Sequence, residues 1–345
     1  MGLLSAGRQL GLLLLAGTLT GCTRDGPKPQ KLTVYCSVQL EWCELVVKTY
    51  AAATGVQVSM TRKSAGETLA QVTAERHNPR GDVWFGGTGD AHVQAAEARL
   101  TEPYRSPRLS ELHPWAVDPA GDGRATGLYL GALGYTYSSE WLQKKGLASP
   151  PTTWAALLAP ELKGEVQVAN PNSSGTAYTL LATWVQLFGE ERAFEFLKAL
   201  DQNVSQYTLS GAAGARAAAR GEAGVGIVFL HDAMAEKVAG YPMELVTPEE
   251  GTGYETGCIS VIHGARHPDA AKAFVDWALS KEAQELGERA HSFQWPSNRL
   301  AQPPKAALDL STLKLVDFDL HRWGKKAERA RLLARWEREV RGSGP

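Results

Sequence analysis

The dipeptide His231-Asp232 follows directly on the apolar run Val-Gly-Ile-Val-Phe at 225–229. A polar pair at the end of a buried strand faces the crevice outside a sheet, where open α/β folds collect their ligands. Glu255 lies in a second glycine-rich run, Gly251-Thr252-Gly253-Tyr254-Glu255. Two carboxylates and an imidazole can take hydrogen bonds from ligand hydroxyls, because an ionised carboxylate only accepts. The same three groups could ligate a metal. The plainer alternatives are a helix cap for Asp232 and a surface loop for Glu255.

A second pattern recurs four times. Small hydroxyl and glycine residues end a predicted strand or open a predicted helix at Cys36-Ser37, Ser64-Ala65-Gly66, Gly86-Gly87-Thr88 and Ser173-Ser174-Gly175-Thr176. Free backbone N–H groups and the helix dipole attract anions at such points. Hydroxyls add neutral donors, and glycine lets the backbone come close to a ligand. One such loop is explained by ordinary capping; four in one chain point to a binding cleft. Arg62 and Lys63 flank one loop, where they either add charge or stay solvated. Trp84 and Tyr254 are read as core residues rather than stacking platforms.

The elements that must hold these residues alternate. Strands are predicted at 32–36, 56–60, 82–85, 129–137, 165–169, 225–229, 243–246 and 259–262. Helices are predicted at 40–53, 64–75, from the 173–176 loop to about 188, and at 192–200, 211–220, 267–279, 281–289 and 321–340. Another begins at 154–158, and Ser64 with Glu67 forms a capping box. Alternation with short links gives parallel sheets covered by helices. The Arg-rich side of the 321–340 helix is expected to be a solvated face.

Several chemistries are missing from the sequence. It has no Gly-x-Ser-x-Gly elbow, His-Glu-x-x-His pair or phosphate-binding Gly-x-x-x-x-Gly-Lys loop. Gly121-Asp122-Gly123-Arg124-Ala125-Thr126-Gly127 misses the dinucleotide spacing by one residue and reads as a surface turn. No catalytic residues, resident metal or cofactor are expected. The 345 residues carry a net charge of −1, which lacks the basic footprint of a nucleic-acid binder. With 43% hydrophobic and 21% charged residues, the chain is globular and large enough for two lobes.

Residues 1–21 read as a secretory signal: Arg8, an apolar run too short to span a bilayer, then small residues. Leu19-Thr20-Gly21-Cys22 matches a lipobox, so Cys22 is expected to carry lipid, with 22–31 as a polar tether. A periplasmic or cell-surface lipoprotein sits where disulfides persist. Cys36 and Cys43 could pair there or remain two buried thiols, depending on their Cα separation.

From 32 onward the chain resembles the periplasmic substrate-binding proteins of ABC importers, in the ferric-iron-type group. The resemblance rests on VYCSVQLEWCELVVKTYAAATGVQVSMTRKSAGET, GDVWFGGTGD, ANPNSSGTAYTLLATWVQLFGEERAFEFLKAL, GEAGVGIVFLHDA and EGTGYETGCISVIHGARHPDAAKAFVDWALSKEAQE. It implies a two-lobed α/β fold of the type II periplasmic binding class. Each lobe would be a mainly parallel sheet flanked by helices, and hinge strands would cross between them. Residues 32–128 with 259–312 would form one lobe, and 129–258 with 313–345 the other. A monomer would close on one solute and present it to a permease and its ATPase.

Iron binders of that group carry adjacent tyrosines after the strand matching 225–229. This sequence has His231-Asp232 there and no Tyr-Tyr pair. It resembles instead the branch that takes phosphorylated sugars. The resemblance assigns His231, Asp232 and Glu255 to sugar hydroxyls, and Ser173, Ser174, Gly175 and Thr176 to phosphate. Ser37, Ser64 and Thr88 follow by loop position. A phosphate beside two carboxylates would be repelled, so the ligand must have two ends. Ferric iron, a lipid-anchored hydrolase using His231 and Asp232, and a sensory module remain the alternatives.

Overall fold

The computed structural model describes residues 30–147 and 149–342. The expected signal at 1–21, the lipidation site Cys22 and nearly all of the 22–31 tether lie outside the described residues. Among the described residues, no helix is long and apolar enough to cross a membrane.

The chain begins with β1 (Lys31–Cys36), α1 (Leu40–Thr54), β2 (Gln57–Arg62), α2 (Ala65–Ala74), β3 (Val83–Thr88), α3 (Gly89–Glu97) and the short β4 (Thr101–Glu102). A 13-residue strand, β5 (Thr126–Ser138), leads on to α4 (Ser139–Lys144), β6 (Val166–Ala169), α5 (Gly175–Phe188), α6 (Glu190–Asp201) and β7 (Val204–Thr208). Next come α7 (Ala213–Ala219), β8 (Val225–Phe229), α8 (Leu230–Val238) and β9 (Met243–Val246). β10 (Tyr254–Ile262) returns to the first half, followed by α9 (Pro268–Ala278), α10 (Lys281–Gln284), α11 (Leu286–Arg289), β11 (Trp295–Pro296), α12 (Leu320–Trp323) and α13 (Lys326–Trp336).

β5 explains how two sheets become one structure. Its first half, Thr126 to Ala132, pairs antiparallel with β10, which also pairs with β3. Its second half, Leu133 to Tyr137, pairs with β8. The strand order is β2-β1-β3-β10-β5-β8-β6-β7, with parallel pairing at β2-β1-β3 and at β8-β6-β7. All 13 residues of β5 are buried, as a strand covered on both faces must be. The expected lobe boundaries at 128/129 and 258/259 fall inside β5 and β10.

Each half has its own core. In one, Trp42, Tyr50, Phe85 and Phe274 pack with Val34 and Leu128. In the other, Trp154, Trp184, Tyr178 and Phe194 pack with Tyr135, Trp323 and Trp336. Trp154 and Trp184 meet edge to face at 5.2 Å, a favoured aromatic geometry.

Local structure departs from the sequence pattern in a few places. The closing helix expected over 321–340 breaks into α12 and α13, ending in a π turn over Glu337–Arg341. The break comes at Gly324, which packs against Val93; a Cβ there would lie 2.7 Å from that side chain. Its arginines are not simply solvated. Arg329 is buried and pairs with Asp90 on α3, while Arg331 and Arg335 pair with Glu190. The helix over 281–289 is two short pieces, and 154–158 is a 3-10 turn. β7 and α8 were not anticipated, because a five-residue mixed strand and a helix starting on a buried strand end give little periodicity.

Cys36 and Cys43 form a disulfide with a Cα separation of 6.0 Å, and Cys258 is free and buried. The bridge ties the end of β1 to the first turn of α1, holding the loop Ser37-Val38-Gln39. Cross-linking a loop this short stabilises chiefly by restricting the unfolded chain. Paired replacement of Cys36 and Cys43 by alanine is expected to lower the unfolding free energy by about 2–4 kcal/mol in denaturant titration. Reduction of the native protein should shift the midpoint in the same direction.

Candidate ligand-binding site

A cavity of about 400 Å³ lies between the two halves of the molecule. Ser37, Ser64, Thr88, Ser174, Gly175, Thr176, His231, Asp232 and Glu255 all line it. Ser173 is not among its lining residues; its hydroxyl lies 3.3 Å from the carbonyl of Asn170 and 3.2 Å from that of Leu209. The cavity walls come from loops at the carboxyl ends of β1, β3 and β8 and from the starts of α1, α2, α5 and α8. Several helix dipoles therefore point their positive ends at one space.

The loops differ in how their hydroxyls are used. Ser64 completes the expected capping box with Glu67, so ordinary capping does account for that residue. Its Oγ lies 2.7 Å from Glu67 Oε2 and 3.1 Å from the Ser173 carbonyl, across the cleft. Ser37 Oγ accepts from Trp84 Nε1 at 3.0 Å and lies 3.0 Å from Thr68 Oγ1. Trp84 in turn stacks on His92 at 4.0 Å. Ser174 and Thr88 stand at N-cap positions, yet neither side chain caps its helix. Thr88 Oγ1 is buried without a partner. The Thr88 hydroxyl is thus a donor open to a ligand, since buried polar groups are rarely left unpaired.

Glycine is needed where the walls meet. Gly86 and Gly87 take φ values of 73° and 89°, a left-handed conformation that side chains disfavour. The turn lets the Gly87 N–H donate to the Tyr129 hydroxyl at 3.1 Å. A Cβ on Gly175 would sit 2.1 Å from Thr88 Oγ1, so the two halves approach through a position that only glycine can fill.

The same cavity is also lined by ionisable groups. His231 and Asp232 lie in the first turn of α8, and Glu255 lies on β10. His231 Nε2 stands 3.6 Å from Glu255 Oε1 and 3.9 Å from Asp232 Oδ1. Burial pushes the Glu255 carboxyl well above the usual carboxylate range, and the charges of Asp232 and Asp90 add to that shift. Burial likewise lowers His231, against the opposing pull of Asp232. Glu255 is therefore held toward its protonated, donor-capable form, which differs from the acceptor-only carboxylate expected from sequence.

Sequence reasoning missed Gln39, Tyr129, Ser210, Arg216 and Gln294, all of which line the cavity. Gln39 and Gln294 carry no motif. Arg216 opens toward the site from α7, whose alanine-rich sequence gave no functional signal. Arg62 also lines the cavity, with its Nε donating to the Val38 carbonyl at 3.0 Å.

Residues 83–321 match the family described as bacterial extracellular solute-binding protein. The chain belongs to this family. Similar solved structures include the periplasmic binding protein AfuA from Actinobacillus pleuropneumoniae, solved with exogenous fructose-6-phosphate bound. It is 46% identical, with a TM-score of 0.89, covering 91% of this chain and 99% of that one. The periplasmic binding protein P5PA is 40% identical with a TM-score of 0.86, covering 90% and 99%. Iron-bound HitA from Pseudomonas aeruginosa is 21% identical with a TM-score of 0.75, covering 90% and 99%, a likeness of fold. The solute-binding protein therefore has the two-lobed type II periplasmic binding architecture, and its family is a class of extracellular receptors rather than enzymes.

The Glu255 shift has a definite sign. The native state holds this proton more tightly than the unfolded chain, so stability falls as pH rises above the usual carboxylate range. Glu255→Gln is accordingly expected to raise the melting temperature of the ligand-free protein at pH 7–8. The gain should shrink as pH drops below the unfolded carboxylate value, and a gain independent of pH would contradict the assignment.

Proposed function

We propose that this solute-binding protein is the receptor of an ABC import system and captures a phosphorylated sugar or related organophosphate. Cys22 would anchor it to a membrane, and it would work as a monomer. Residues 32–128 with 259–312 would close against 129–258 with 313–345, then deliver the solute to a permease and ATPase. The observation that carries this reading is the mixed lining of one cavity. Neutral donors at Ser37, Thr88, Ser174, Gly175 and Thr176 line it together with His231, Asp232 and Glu255.

The mixed lining suits a two-ended ligand. Backbone N–H groups and hydroxyls at the start of α5 can receive a phosphate, whose charge the helix dipole favours. Arg62 and Arg216 add positive charge to the wall. Asp232, Glu255 and His231 offer mixed acceptors and donors to a polyol. Support also comes from AfuA, the similar protein solved with fructose-6-phosphate.

Ferric iron is the second reading, because two carboxylates and an imidazole converge. Iron favours hard anionic oxygen ligands, whereas burial here holds Glu255 toward its neutral form. Among the described residues, no group of three or more His, Cys, Asp or Glu side chains is placed to hold a metal.

A thermal-shift panel of fructose-6-phosphate, fructose, inorganic phosphate and Fe(III) separates the readings, since a ligand of the native state raises the melting temperature. Fructose-6-phosphate is expected to give the largest rise. A rise and colour with Fe(III) alone would replace the sugar-phosphate reading with the metal one. In calorimetry, Asp232→Ala should weaken fructose-6-phosphate binding by about 1.5–3 kcal/mol, the value of a hydrogen bond to a charged group. Unchanged affinity would remove Asp232 from the site.

A further inference from the structure

We infer that Gln39 is a cross-cleft latch, bonding Asp232 only when the two lobes are shut and thereby orienting that carboxylate toward the ligand. The consequence for ligand affinity rests on the proposed role of Asp232; the latch itself does not.

Gln39 stands at the N-cap of α1, inside the loop closed by the Cys36–Cys43 disulfide, and its side chain makes no cap hydrogen bond. Its Nε2 instead donates to Asp232 Oδ1 at 2.8 Å. Its Oε1 accepts from Ser292 Oγ and Gln294 Nε2, each at 3.1 Å. Ser292, Gln294 and Asp232 are all buried.

The partners divide unequally between the lobes. Gln39 follows β1, and Ser292 and Gln294 follow α11, which packs in the same core as α1. Only Asp232, on α8, comes from the other lobe. Parting the lobes would leave the two bonds to Oε1 intact and break the one to Asp232. The amide is thus pre-aimed: two donors fix its oxygen, the disulfide fixes its backbone, and the N–H waits for an acceptor. Closure strips water from Asp232, and a donor already in place offsets that loss more effectively than one that must be ordered first. With Oδ1 taken by Gln39, Oδ2 is the oxygen left for a ligand hydroxyl.

The latch is tested first without ligand, on the full-length chain, by small-angle scattering and by fluorescence transfer between dyes on the two lobes. Gln39→Met keeps the side-chain length but removes both amide atoms, and should shift the protein toward the open form. Gln39→Glu should do the same by setting two carboxylates face to face. Combining Gln39→Glu with Asp232→Asn reverses donor and acceptor and should bring back the closed population, a rescue that a merely structural role would not give. Wild-type lobe separation in Gln39→Met, or no rescue in the double variant, overturns the latch.

With fructose-6-phosphate as probe, Gln39→Met should dissociate about tenfold faster than wild type, a difference of about 1.4 kcal/mol. A wild-type protein that ignores fructose-6-phosphate would overturn the ligand reading and leave the ligand-free experiment to decide the latch.

Discussion

Shutting two lobes on a polar cleft strips water from groups that cannot be left unpaired, and most of this molecule is arranged around that requirement. Asp232, Glu255 and His231 are more than nine-tenths buried, although all three are ionisable. The protein meets the cost in three ways. Asp232 receives the Gln39 amide. Glu255 is pushed toward its neutral form. The ring of His231 is also held toward neutrality. Each device lowers the amount of uncompensated charge inside the closed cleft.

The scaffold serves the same end. β5 belongs to both sheets and β10 enters the site beside it, so the two cores are joined at the site by these strands. The loops that meet across the gap are built from glycine and small hydroxyl residues because there is no room for more. Gly175 against Thr88 and Gly66 against Ser173 leave no space for added side-chain atoms. Close approach of backbones is what brings N–H groups and hydroxyls near enough to a guest to replace its hydration.

Much of this was legible in the sequence, for identifiable reasons. Strands such as 225–229 are continuous apolar runs, and α1 and α6 carry clear helical periodicity, so alternation gave the fold class. His231-Asp232 stood out because polar residues at the end of a buried strand are uncommon in a core. Gln39 and Gln294 were invisible because an amide carries neither charge nor motif, and its role comes from partners more than 190 positions away. The protonation tendency of Glu255 depends on burial and on Asp90 and Asp232, which only the assembled cleft supplies. Arg329 was misread as solvated because its partner, Asp90, lies 239 positions earlier.

The pairing of β3 with β10 also sets the order in which the chain can be completed. Trp84 lies opposite Ser260 in that ladder, so the first sheet needs residues from both sides of a long intervening stretch. The second sheet, with β6, β7, β8 and β9, is drawn almost wholly from that stretch. Its contacts are closer in sequence, and local contacts form faster than distant ones. The strands of the inserted lobe can thus pair while its host still lacks a central strand, although its core closes only with Trp323 and Trp336, and an edge of β3 stays exposed until β10 arrives. An unpaired edge of this kind invites association between chains, so newly made molecules are most prone to aggregate in the interval before the two ends of the ladder meet.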